Sequence, residues 1–386
     1  MLTISHTNCA STGELLDRYL DTLEFYGFDP ADRVFKERKP ARAVKLLGNP
    51  NLALTTERKL MTATRGFVAH GFNRHSRPRF VYQLEGSSSK TSSLSLHAIG
   101  SRSAIAESVL IAVLATLARE SGLSSYVMHI NSIGDRESSA RFVRELTSYL
   151  RAYINDMPGY ARDDMQAGNP IRAFNRLLEK NSEIAANAPS PMEFLNDESR
   201  VHLRNVLEYT EHMGVPYELD TTILGSNDCW QHTTFELRAP DENGGHVVVA
   251  RGGRHNTLAQ KSFRVDLPVA SAVIEHEVHG RTRPRRRSFK EPKFFFAQLG
   301  PQAKMKSFVV LENLRSAGIP IRQQIAVESI GSQLKQAEEK SIPYTVIIGH
   351  KEALEDTAIV RNMHSRSQVV VPLSNLPEYL KRLRIK

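Results

Sequence analysis

Residues 280–290, GRTRPRRRSFK, divide the chain. Six of the eleven are lysine or arginine, and Pro284 in this polar setting favours an extended path. A like-charge run of this density resists burial and marks a boundary, an interdomain linker over 280–291. Each side must then bury its own apolar surface, for which 386 residues suffice in two or three domains. Beyond the linker, 292–386 alternates strand-like and helical patterns. FFFAQLG reads as a strand, 302–317 as a helix, 319–325 as a strand and 330–341 as a helix. Strands follow at 344–348, 358–361 and 369–372, with a terminal helix from Asn375. Such alternation implies a largely parallel or mixed sheet covered on both faces.

Composition narrows the class. The formal net charge of +9 and pI near 9.5 favour a polyanionic partner such as RNA. Two cysteines, Cys9 and Cys229, are too few for a disulfide framework and suit a reducing compartment. No apolar run approaches the roughly 20 residues of a membrane span. The first residues lack a basic segment followed by an apolar core, so they do not read as a secretory signal. The expectation is a cytoplasmic protein with no membrane partner.

Before the linker, Leu15, Leu16, Tyr19, Leu20 and Leu23 recur at helical spacing, and Gly27 ends that helix. Residues 52–67 read as a strand running into a helix, 79–83 as a strand, and 98–117 as a buried helix. Residues 126–135, YVMHINSIGD, read as an apolar strand ending in a polar turn. Residues 137–153 form an amphipathic helix with Phe142, Leu146, Leu150 and Tyr153 on one face. Residues 223–236, ILGSNDCWQHTTFE, read as a strand with polar positions at its centre. Polar groups are costly to bury dry, so this strand is expected to line a wet pocket or face.

These segments resemble the histidyl-tRNA synthetase family of class II aminoacyl-tRNA synthetases. Ile130-Asn131-Ser132-Ile133-Gly134-Asp135 is similar to the family's Ile-Asn-Ser-Leu-Gly-Asp, and Asn169-Pro170-Ile171-Arg172 to its Asn-Pro-Leu-Arg. Gly252-Gly253-Arg254 is similar to its Gly-Gly-Arg-Tyr-Asp. Residues 332–337, SQLKQA, resemble its Lys-Gln-Leu-Lys-x-Ala, and 346–349, VIIG, its Val-Ile-Leu-Gly. The resemblance implies an α+β class II synthetase-like core, an antiparallel sheet flanked by helices, over 1–279, with a helical excursion near 136–210. It implies a C-terminal α/β anticodon-binding-like domain over 292–386.

The same comparison marks departures. The strand at 223–236 keeps Asp228 and Thr233-Thr234-Phe235-Glu236. Gly225 stands where the family has its catalytic arginine, and Cys229 and Trp230 where it has tyrosines. After Gln83 the family's arginine and long hairpin loop shrink to a Ser-rich turn. Ser93 and His97 fall where histidine would be bound, and His255 and Asn256 replace a tyrosine and an aspartate. Glu275 fills the place of a glycine beside adenine, Glu277 matches the motif glutamate, and Val278 replaces an arginine that meets the phosphate. Phosphoryl transfer needs cations aimed at phosphate, so losing them implies lost chemistry.

The remnant pocket by resemblance is Glu57, His97, Asp228, Gly252, Gly253, Arg254 and Glu277, with no catalytic residue assigned. RNA-binding candidates are Arg281, Arg283, Arg285, Arg286, Arg287, Arg322 and Lys335. The reading is a catalytically inactive synthetase paralogue that keeps tRNA or other RNA binding, as a homodimer or paired with an active synthetase, without a cofactor. One alternative is a divergent histidine–tRNA ligase, which would use ATP and magnesium. Another is a synthetase-like regulatory subunit of a metabolic enzyme, although that subunit lacks the C-terminal domain. Cys229, His232 and His97 could converge on a metal, since the resemblance implies neighbouring strands, but zinc ligands usually show tighter spacing. Cys229 with His232 as base is disfavoured, since residues three apart on a strand face opposite ways.

Overall fold

The computed structural model describes residues 12–36, 55–74, 77–86, 91–225, 229–241, 244–277 and 292–383. The chain opens with α1 (Thr12–Phe25), β1 (Phe28–Pro30), α2 (Ala31–Lys36) and α3 (Thr55–Ala69). A hairpin of β2 (Arg79–Gly86) and β3 (Thr91–Ile99) leads to α4 (Ile105–Glu120) and β4 (Val127–Gly134). Five helices follow: α5 (Arg136–Ala152), α6 (Gly159–Gln166), α7 (Pro170–Leu178), α8 (Glu183–Ala186) and α9 (Asp197–His212). Then come β5 (Tyr217–Leu219), β6 (Gln231–Pro240), β7 (His246–Arg254), α10 (Asn256–Phe263) and β8 (Val269–Glu277). The strands form one sheet in the order β1-β2-β3-β8-β7-β6-β4-β5, antiparallel from β2 to β4 and parallel at both edges.

Alternation gives this sheet two unlike faces. Leu94, Leu96, Ala98, Ala250, Ala270, Ala272, Ile274, Phe235, Leu237, Met128 and Ile130 share one face and pack with the apolar α4 in the main core. Ser93, Ser95, His97, Ser271, Gly253, Arg251, Thr234, Glu236, Asn131 and His129 share the other. The second face is the polar one that the 223–236 pattern called for.

Two element boundaries differ from expectation. The helix expected from Ala98 starts at Ile105, because Ala98 and Ile99 complete β3 and Gly100, at φ +84°, turns the chain. The strand expected from Ile223 starts at Gln231: Gly225 is left-handed at φ +60°, which no strand continues through. The β2–β3 pairing runs out to Gly86 opposite Ser92, so only residues 87–90 join the two strands. A long phosphate-clamping loop has no room there.

The C-terminal body comprises β9 (Phe294–Gln298), α11 (Pro301–Ser316), β10 (Ile321–Gln323), α12 (Ile330–Glu339) and β11 (Tyr344–Ile348). It continues through α13 (His350–Leu354), β12 (Thr357–Asn362), β13 (Gln368–Pro372) and α14 (Leu376–Arg382). Its sheet order is β10-β9-β11-β12-β13, parallel over the first three strands and antiparallel over the last three, the mixed sheet the alternation implied. Gln333 of the SQLKQA segment fixes α12 to this sheet: its amide accepts from Gln298 N and donates to Gln298 O and Val327 O.

The two bodies are packed together. Arg315 contacts Glu120 at 2.5 Å, and Glu312 lies 3.3 Å from Arg119 and accepts from Tyr26 at 3.3 Å. Gln323 donates to Tyr26 O at 2.7 Å. Arg322, a candidate RNA contact by sequence, instead pairs with Asp29 of the first body at 2.6 Å. A guanidinium spent on an interdomain carboxylate is not available to phosphate, so Arg322 leaves the RNA-binding set. Among the described residues no helix is long and apolar enough to cross a membrane.

Candidate functional site

The polar sheet face, roofed by α3 and α10, carries His97 and Gly253, with Glu57 of α3 over it. Trp230 stands at its centre. It immediately precedes β6, is 7% exposed, and clusters with Leu60, Leu224, Leu258 and Val273. Its indole Nε1 donates to Glu57 Oε1 at 3.1 Å. Glu57 lies in the first turn of α3 and is fully buried. This carboxylate, placed in the pocket by resemblance, receives an indole N–H of its own chain.

The two glycines nearest the ring show how closely it is held. A Cβ on Gly225 would lie 2.2 Å from Trp230 Cδ1 and from Nε1. A Cβ on Gly253 would lie 2.9 Å from Trp230 Cε3 and 2.5 Å from Thr233 O. Gly225 (φ +60°) and Gly253 (φ +154°) also occupy backbone conformations that side chains disfavour. The position matching the family's arginine thus has neither the space nor the backbone for a side chain. Gly252 is equally confined, by the Phe235 ring and Ser271 O, as a packing element.

His97 and His255 lie deeper, both fully buried. Ser271 Oγ stands 2.7 Å from His97 Nδ1 and 2.7 Å from His255 Nε2, and Ser95 Oγ is 3.1 Å from His97 Nε2. One hydroxyl donates to one ring and accepts from the other, which matches two neutral imidazoles. Burial, helped by His255, pushes His97 down to about 3; burial and the Arg254 guanidinium push His255 down to about 3. A face that binds a triphosphate needs cations; these two rings stay uncharged.

Arg254, assigned to the pocket by sequence, points to the opposite face. It makes a two-point pair with Glu107 on α4, at 2.8 and 2.6 Å, and donates to Ser101 O and Ser103 O. His202 on α9 adds a 2.9 Å contact to Glu107. Burial alone would raise the Glu107 carboxyl, but Arg254 and His202 hold it well below the usual carboxylate range. His232, left-handed at φ +53°, stacks on His202 at 4.7 Å beside this pair. Burial, with His202 and Arg254 nearby, pushes His232 down to about 4. This network was not legible in sequence, where Glu107 looks like one more residue of an apolar helix.

The metal and nucleophile options do not assemble. His97 lies on β3 and His232 on β6, three strands apart in the sheet or roughly 14 Å, and their rings lie on opposite faces. Cys229 is buried in a turn before β6 rather than on the strand. Among the described residues no group of three or more His, Cys, Asp or Glu is placed to hold a metal.

The retained motifs have structural work. Asn131 donates to Thr221 O and Ile223 O and fixes the segment leading to Gly225. Asp135 caps α5 through Ser138 N at 2.8 Å and receives Asn196 at 3.0 Å. Thr234 Oγ1 donates to Ile223 O, and Glu236 pairs with Arg238 and Arg251. Asn256 Oδ1 accepts from Val269 N. Lys335 is exposed on α12, as an RNA contact requires. Glu275 and Glu277 lie on β8, with Glu275 opposite Ser93, but their side chains fall outside the described residues. Asp228, Val278, Arg281, Arg283, Arg285, Arg286 and Arg287 also lie outside them.

Three buried histidines held neutral fix the sign of the acid response. Above pH 6.5 neither folded nor unfolded chain protonates them, and they exact no penalty. As pH falls from 6.5 towards 3–4, the unfolded chain binds protons that the folded chain refuses. Stability then drops by about 1.4 kcal/mol per pH unit for each ring. The urea midpoint will fall steeply between pH 6.5 and 4.5. His232→Gln, read the same way, will flatten that slope.

Residues 297–383 match the family model of the anticodon binding domain. The chain is 28% identical over 370 residues to the histidine–tRNA ligase of Geobacillus sp. (strain WCH70), covering 93% of this chain and 81% of that protein. It is 29% identical over 297 residues to that of Halothermothrix orenii, covering 75% and 70%. The crystal structure of apo S. aureus histidyl-tRNA synthetase is 20% identical, covers 99% of this chain and 100% of that one, and superposes with a TM-score of 0.49.

Proposed function

We propose that this chain, a member of the histidyl-tRNA synthetase family, binds tRNA without activating histidine. The observation that carries the reading is Trp230. Its indole fills the place beside Glu57, and its contact with Gly225 excludes a cation there. The closed β2–β3 hairpin and the uncharged His97 and His255 support it further. Activation would need charge aimed at phosphate and room for an amino acid, and this face offers an aromatic ring, hydroxyls and neutral imidazoles.

RNA binding draws support from the anticodon binding domain at 297–383, the exposed Lys335 and the net charge of +9. The arginine run at 281–287 is the candidate phosphate strap between the two bodies. Phosphate contacts release counterions, so affinity should fall steeply with salt. The test is gel-shift titration of the full chain with unfractionated tRNA at two salt concentrations. Binding that weakens with salt is expected. Replacing Arg281, Arg283, Arg285, Arg286 and Arg287 with glutamine should weaken it further and reduce the salt slope by up to about 5. No binding at low salt would overturn the RNA reading, and full-strength binding by the glutamine variant would overturn the strap.

A further inference from the structure

Gly27 follows α1 at φ +83°, and a Cβ there would lie 2.7 Å from Gln323 O of β10. That neighbour is backbone of the other body, which cannot step aside as a side chain can. The contact is also directional. Gln323 is fully buried. Its Nε2 donates across the joint to Tyr26 O at 2.7 Å, while its Oε1 accepts from Ile325 N at 2.6 Å. Undocked, this amide would lose its acceptor. Around this point the contact is apolar: one cluster of buried side chains runs through both bodies. The Tyr209 ring of α9 meets Phe308 of α11 edge-on, with centroids 5.6 Å apart. Arg315 and Glu120, paired across the joint, are both mostly buried.

Domains on a linker move against one another unless their interface is large and apolar. Here the α1–β1 turn, the end of α4 and α9 meet β10 and α11 at several separate points, which fixes rotation as well as position. None of these groups belongs to the linker. We propose that this core face is a docking surface for the anticodon-binding body, and that it holds the β10–α11 side at one orientation without the covalent connection. The face is selective. Gly27 admits a flush backbone, Tyr26 O takes a donor and Glu120 takes a cation; Gln323 and Arg315 supply all three. Nothing in the inference rests on RNA binding.

The test cuts the link. A site-specific protease sequence replaces residues 283–288, and the purified full chain is nicked there. The halves should leave gel filtration together at low salt and at about 1 M salt, because buried contacts are screened little. Separate elution at either salt concentration overturns the docking surface. Glu120→Arg and Arg315→Glu should each raise the dissociation constant of the nicked pair by about tenfold or more. Combined, they should recover most of that loss, because opposite charges again face each other. Single variants held as tightly as the parent, or no recovery in the double variant, overturn the assigned contact. Gly27→Val should separate the halves. Gly71→Val should not, since Gly71 has a similar φ of +72° but nothing within 4 Å of its added Cβ. Equal behaviour of the two glycine variants overturns the flush approach. Elution is read without RNA, so this result and the tRNA titration stand or fall separately.

Discussion

Arg254→Ala will destabilise the protein by about 3–5 kcal/mol, the cost of breaking a buried ion pair by removing one partner. Arg254 and Glu107 are 1% and 0% exposed at the side chain. The guanidinium fills its fork with Glu107 and caps Ser101 O and Ser103 O just before α4. Alanine would strip all of these at once and leave a desolvated carboxylate with only His202 beside it. Glu107 would then regain a pKa raised by burial, so the variant should recover some stability in acid, where the unmodified chain weakens. Urea titrations of both proteins at pH 7.5 and 5.5 check this. Removing both charges, as Glu107→Leu with Arg254→Met, should cost less than Arg254→Ala alone, because no bare charge remains. A fully additive double variant would contradict the pairing.

Gly225→Arg, which puts back the family's residue, should fail twice. A side chain there starts 2.2 Å from the Trp230 ring, and φ of +60° costs a non-glycine residue about 1 kcal/mol or more. The ring must leave its place beside Glu57 or the backbone must move, so a loss of several kcal/mol is expected, as for other overpacked cores. The variant should melt well below the parent and gain no histidine-dependent chemistry. Pairing it with Trp230→Gly relieves the ring clash but keeps the backbone cost and adds that of losing a buried indole, so the double variant should lose less than the sum of the two single variants. Circular-dichroism melts of the single and double variants separate these outcomes. A single variant as stable as the parent would mean that the glycine is not held by the indole.

Strong local patterns carried through. Phe142, Leu146 and Leu150 lie buried along α5, while Tyr153, expected on the same face, follows the helix end and is exposed, and the C-terminal alternation became the mixed five-stranded sheet. Segments keeping family motifs, such as 130–135, form the turns and caps that those residue types favour. Side-chain partners did not carry through, because they depend on which strands and helices meet. Arg254 and Arg322 both read as cations free for a ligand. One is consumed by Glu107 and the other by Asp29. Gly225 and Trp230 stand far from Glu57 in sequence, with nothing to join them. That the indole lies against Gly225 and reaches Glu57 required α3 to be laid over the start of β6, a contact across more than 170 positions.

The helix boundary at Ile105 has a related cause. Periodicity places apolar residues on a face but cannot tell where a strand gives way to a helix. Pairing with β2 and β8 extends β3 to Ile99, and Gly100 then makes the turn. The polar face was legible as a pattern, while its content was not. His97 and His255 stand at altered ligand positions by resemblance, and in the structure they are held instead by Ser95 and Ser271 inside the sheet's cover.

The most direct test of the closed pocket is ATP–pyrophosphate exchange by the full chain with histidine and magnesium. The exchange should not rise above the rate without histidine, at any histidine concentration up to saturation for an active synthetase. Histidine-dependent exchange by the purified chain would contradict the account, because it would require both substrates to enter the face that Trp230 occupies.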